Sequence, residues 1–116
     1  MDRAKVIRLV DDYMEALKTG DYSAVKLSSD VSVIVPLVDS PINGKASVLE
    51  FLLEVSDEVE DVRVQQYVID GSTACVLIEY ETVKGDVLPI LDYLQFDGEG
   101  ISHIQPFFDP RPLIED

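Results

Sequence analysis

Apolar residues recur at helical spacing from the start of the chain, with Val6, Leu9, Val10, Tyr13, Met14 and Leu17 on one face of a helix predicted over residues 2–18. Gly20 follows as a left-handed stop signal. Asp21 can cap a short second helix over 21–27, and residues 32–35 read as a short strand halted by Pro36. Asn43-Gly44 marks a turn. Beyond it Val48, Leu49, Leu52 and Leu53, extended to Val55 and Val59, line one face of a third helix whose acidic side meets water.

From Val62 the period shortens to two, which predicts strands over 62–69, 73–83, 87–96 and 101–108. The turn signals between them, Asp70-Gly71, Lys84-Gly85-Asp86 and Asp97-Gly98-Glu99-Gly100, are short enough for consecutive hairpins. Helices first and sheet second define an α+β chain. Asp109-Pro110-Arg111-Pro112 ends the last strand and opens a tail. A strongly twisted antiparallel sheet closes around something, and the three N-terminal helices are the available lid for its concave face. The expected shape is a cone-shaped α+β barrel with a hydrophobic pocket. The strands from Val87 and Ile101 are apolar on both faces, which leaves an outer sheet surface in need of cover and implies a homodimer through the sheet.

With 116 residues and 47% hydrophobic side chains, the chain suits a single domain over 1–116 built on one core. No run approaches the ~18 apolar residues of a membrane-spanning helix. Asp2, Arg3 and Lys5 lead straight into an amphipathic pattern instead of a signal peptide, so a cytoplasmic location is expected. Twenty-three acidic residues against nine basic ones give a net charge of −14, which repels nucleic acid and anionic membrane surfaces. Cys75 is the only cysteine, which excludes an intrachain disulfide and a thiolate metal cluster. No metal and no cofactor is expected.

One residue breaks the pattern. In Leu88-Pro89-Ile90-Leu91-Asp92-Tyr93-Leu94-Gln95-Phe96, alternation puts Asp92 on the face of Leu88, Ile90, Leu94 and Phe96. An unpaired charge on an apolar surface costs several kcal/mol, so this carboxyl is neutral, paired, or turned toward a cavity that uses it. Tyr13 lies on the buried stripe of the first helix, between Val10 and Leu17. Both side chains can therefore point into one enclosed space.

Three segments, Tyr13-Met14-Glu15-Ala16-Leu17-Lys18-Thr19-Gly20-Asp21, the strand around Asp92, and Phe107-Phe108-Asp109-Pro110, resemble the nuclear transport factor 2-like superfamily, which includes ketosteroid isomerases and SnoaL-like polyketide cyclases. The resemblance spans nearly the whole chain. It implies the cone fold and, from the isomerases, an oxyanion hole made by a helix tyrosine and a neutral strand aspartic acid, positions held here by Tyr13 and Asp92. It also implies a carboxylate directly before Pro36 as general base, where this chain has Val35. A supporting tyrosine on the third helix would fall near Leu52 and is absent. The epoxide hydrolases of the superfamily carry an arginine two residues before the aspartate, where this chain has Ile90. The SnoaL-like cyclases, which can use one strand aspartate as both acid and base, resemble what remains.

The ligand implied is a small apolar or aromatic carbonyl compound on Tyr13 and Asp92, with isomerase- or cyclase-type proton transfer. The alternative is a non-catalytic small-molecule-binding or dimerisation module, its general base lost at Val35. A structural reading has Asp92 simply hydrogen-bonded to Tyr13, and a purely structural domain would have its interior filled by Phe51, Phe96 or Phe108. Registered against the family, the last strand turns Ile104, Pro106 and Phe108 toward the pocket and His103 outward to an interface. Alternation groups Tyr80 with Val76 and Ile78 against Glu79, Glu81 and Leu77, without deciding which side is inner. Tyr80, Ile104, Phe108 and Asp109 are the candidate ligand contacts, although Asp109 suits a tail cap as well. Cys75 reads as a small buried hydrophobe.

Overall fold

The structure, a computed structural model, describes residues 2–114, and for 113 and 114 the backbone alone. Helix α1 spans Arg3–Thr19. The Asp2 carboxylate accepts the Ala4 amide at its start, and Gly20 ends it at φ 78° by donating its amide to Ala16. Val6, Val10, Tyr13, Met14 and Leu17 are buried, as the spacing predicts.

The expected second helix over 21–27 does not form. Asp21 caps a turn instead, accepting the Ser23 amide at 3.0 Å, and Val25 closes back onto the Tyr22 carbonyl. Tyr22 turns inward to donate to the Leu52 carbonyl (3.0 Å) and meet Ser56 Oγ (2.7 Å). That tether draws the chain across α2 (Lys45–Asp57) rather than letting it wind. The Lys26 carbonyl is then taken by the Ile101 amide, and the chain enters β1 at once, over Leu27–Val33. Strand β1 thus begins earlier than the expected 32–35 and ends before Val35, because its pairing is set by a distant strand. Two helices, not three, precede the long strands.

Strand β2 is only Ile42–Asn43, antiparallel to β1. Helix α2 buries Val48 and Leu52 but leaves Leu53 exposed, and Val59 falls in β3 (Val59–Asp70), not in the helix. Strands β4 (Thr73–Thr82), β5 (Val87–Asp97) and β6 (Gly100–Phe107) complete the predicted meander. A four-residue helix α3, Arg111–Ile114, follows. The six strands lie in the order β2-β1-β6-β5-β4-β3. All pairings are antiparallel except β1 with β6, which is parallel, so the expected all-antiparallel sheet is mixed.

Curvature comes from register shifts. Strand β3 gains an extra residue on β4 at two places, and the β5–β6 pair shifts at Gln95/Phe96. Each such bulge bends its strand and increases the local twist. The sheet therefore wraps its concave face around α1 and α2. On β5, Leu88, Ile90, Asp92, Leu94 and Phe96 are buried while the residues between them face outward.

Candidate functional site

The helices do not fill the concavity. A cavity of about 520 Å³ remains between α1, α2 and the sheet, in the range of small-molecule sites. Phe51 and Phe108 line it without closing it, and Phe96 packs in the core elsewhere, so the filled interior of a purely structural domain is not what forms.

Tyr13 from α1, Tyr80 from β4 and Asp92 from β5 all reach this space. Cross-strand register explains the last two. Val76 lies opposite Asp92, Ile78 opposite Ile90 and Tyr80 opposite Leu88, which settles that the Tyr80 side is the inner one. Glu79 and Glu81 consequently lie outside, where both pair with Arg63. Ile104 and Phe108 line the cavity as expected. His103 faces outward, bonded to Ser32 Oγ at 2.8 Å and Gln105 Oε1 at 3.1 Å. Cys75 is half-buried on the outer face opposite Tyr93 rather than buried.

Asp109 is not a cavity residue. Its carboxylate caps the tail by accepting the Arg111 amide and pairing with the Arg111 guanidinium, as a short residue before a proline turn can do locally.

The carboxyl of Asp92 is 3% exposed, and its Oδ1 is fully enclosed with no hydrogen-bond partner among the described residues. The structural pairing with Tyr13 is thus absent. Burial alone raises the Asp92 pKa to about 7. Burial also holds Tyr13 and Tyr80 above the usual phenol range, and the Asp92 charge adds to both effects. The two phenols are neutral hydrogen-bond donors at neutral pH, and the Asp92 carboxyl is mostly protonated only below its pKa of about 7.

Val35 and Pro36 line the opposite wall, so a valine stands where the resemblance would place a base. Ile90 also lines the cavity, so the position where the epoxide hydrolases carry an arginine brings no cation to it. The exposed residues Glu58, Lys84 and Asp86 form the mouth. Sequence reasoning did not single these out, because Lys84-Gly85-Asp86 carries only a turn signal until the β4–β5 hairpin is placed over the opening. Among the described residues no group of three or more His, Cys, Asp or Glu side chains is placed to hold a metal ion. Among the described residues no helix is long and apolar enough to cross a membrane.

A cone-shaped sheet wrapped on two helices around an apolar cavity is the fold of the nuclear transport factor 2-like superfamily, and solved structures bear this out. An NTF2-like protein of unknown function from Cytophaga hutchinsonii aligns over 95% of each chain, with TM-score 0.79 and 18% identity. The epoxide hydrolase/cyclase-like enzyme SalBIII, of pyran ring formation in salinomycin, covers 93% of each chain at TM-score 0.78 and 16% identity. A de novo designed protein with a curved β-sheet reaches TM-score 0.84 at 24% identity, over 96% of this chain and 90% of its own. Structures described as SnoaL-like and ketosteroid isomerase-like also share the fold. The chain belongs to the family described as Domain of unknown function (DUF4904), which matches residues 1–116. No curated protein matches it.

Proposed function

We propose that the cavity binds a small apolar or aromatic carbonyl compound, whose oxygen accepts hydrogen bonds from neutral Asp92 and Tyr13, with Phe51, Ile104 and Phe108 against its apolar body. The observation that carries this reading is a buried Asp92 carboxyl, its Oδ1 without a hydrogen-bond partner among the described residues, on a residue that lines an apolar cavity. Leaving such a group unsatisfied costs about 1–3 kcal/mol, a cost that a ligand removes on binding.

Binding without efficient turnover fits the site best. An oxyanion hole polarises a carbonyl but moves no proton, and Val35 cannot act as a base. A catalytic reading has one observation in its favour, that the Asp92 pKa lies near operating pH, as an acid that also serves as base requires. The decisive experiment is calorimetric titration with a naphthyl ketone, followed by an absorbance assay on a colour-changing unsaturated ketone. Binding with no rate above buffer supports a binding module. A rate that Asp92→Asn abolishes supports the cyclase-like or isomerase-like enzyme, and absence of binding ends the carbonyl reading.

The same reading includes a homodimer through the convex face. Leu77, Leu91 and Phe107 are direct cross-strand neighbours there, exposed by 38, 38 and 50%. A contiguous apolar row of this kind, flanked by the His103–Ser32–Gln105 cluster and by the Arg63 ion pairs, has the apolar centre and polar rim of a protein interface.

A further inference from the structure

A carbonyl ligand leaves part of the site unmet. The neutral Asp92 carboxyl has one donor and one acceptor oxygen, and a ketone can use only the donor. Oδ1, buried and without a partner among the described residues, accepts whenever it does not carry the proton, and as an acceptor it calls for a ligand that brings an N–H or O–H group. The surroundings narrow the choice. Among the described residues that line the cavity, Lys84 is the only cation, and it is outnumbered by Glu58 and Asp86. Tyr13, Phe51, Tyr80 and Phe108 supply aromatic surface, whose π faces attract cations when water is excluded. The chain carries a net charge of −14, which draws cations toward the opening and repels anions.

We propose that the cavity has a second ligand class, apolar monoamines, bound as ammonium ions with their N–H groups on the Asp92 carboxylate and on the Tyr13 and Tyr80 hydroxyl oxygens. This deepens the binding reading, since it rests on the same cavity. The body of the amine lies along Ile90 and Leu88 toward the mouth. The two ligand classes use opposite charge states of one residue: a ketone needs Asp92 protonated, an amine needs it ionised. The titratable groups that feel the Asp92 charge are Tyr13 from α1 and Tyr80 from β4, while β6, β1 and α2 line the cavity with apolar residues, Ile104 and Pro106, Val33, and Phe51, Leu52 and Val55. Glu58, Lys84 and Asp86 stand at the mouth.

The test is calorimetry on the full chain with three compounds of one shape: 2-(2-naphthyl)ethylamine, 2-acetonaphthone and 2-ethylnaphthalene, at pH 5.5, 7 and 8.5. The alkylamine stays protonated throughout. With the free-protein pKa at about 7, its affinity is expected to rise about thirtyfold from pH 5.5 to 8.5 while that of the ketone falls. Asp92→Asn should remove the pH dependence of both, weaken the amine at least tenfold and spare the ketone, a variant whose folding is checked by its melting curve. An amine no tighter than the hydrocarbon, or with flat pH dependence, overturns the inference while ketone binding leaves the carbonyl reading intact. If none of the three compounds binds, both fall.

Discussion

Tyr13 and Asp92 enter one cavity from opposite layers, the first from α1 and the second from β5, and neither is the hydrogen-bond partner of the other. A buried phenol and a buried carboxyl would ordinarily satisfy each other. Here both line the cavity without bonding to each other, and burial sets the ionisation of Asp92.

That ionisation has a signed effect on stability. The folded pKa of about 7 lies above the unfolded value of ~3.9, so the folded state holds the proton more tightly. This group therefore lowers stability progressively as pH rises from about 4 to about 7, by up to about 4 kcal/mol, with no further change above. Asp92→Asn removes the titration. The stability of the variant relative to the native protein should rise between pH 4.5 and 8 in urea unfolding, and a flat or falling difference would show that the carboxyl is not enclosed.

Val35 occupies the cavity wall where the superfamily resemblance places a base. Val35→Asp should raise the rate on an unsaturated ketone about a hundredfold over the native chain, the low end of what a positioned proton-transfer group contributes. An unchanged rate in a variant that still binds the ketone would mean that the bound carbonyl lies out of reach of this wall.

Leu91 sits at the centre of the exposed row, between Leu77 on β4 and Phe107 on β6. If this row is the proposed dimer interface, Leu91→Lys should leave the chain monomeric in sedimentation experiments without shifting ligand affinity. Because two chains of charge −14 repel, the proposed dimer should also tighten as salt is raised. A native chain that sediments as a monomer at all concentrations would remove the convex face as an interface.

Gly100 carries φ +139°, and a β-carbon there would lie 2.2 Å from the Lys26 carbonyl oxygen. The neighbouring Ile101 amide donates to that same carbonyl at 2.9 Å, so the close approach holds β6 on β1. Gly100→Ala should destabilise the fold by about 2–4 kcal/mol, since backbone on both sides must move. Equilibrium unfolding measures it directly, and a loss below about 0.5 kcal/mol would contradict this contact.

How much was legible in the chain follows from how local each signal is. The stripe of α1 and the alternation of β4, β5 and β6 depend on neighbours within one element, and they appear where the pattern puts them. The inward direction of Asp92 came from the same alternation. The segment after Gly20 misled because Asp21 caps a turn as readily as a helix, and the choice was made by Tyr22 reaching α2 some thirty residues away. Asp109 misled for the opposite reason, since a purely local contact to Arg111 held it out of the cavity.

By itself the sequence determined the element types, the α+β class, the acidic surface and the presence of a carboxyl on an apolar strand face, because each is fixed by residue chemistry and short-range period. Only the tertiary structure decided which face Tyr80 shares, that β1 runs parallel to β6, that Tyr13 leaves Asp92 unpartnered, and that the mouth is acidic. Those facts depend on register and curvature across strands distant in sequence, where a single bulge changes which side chains meet.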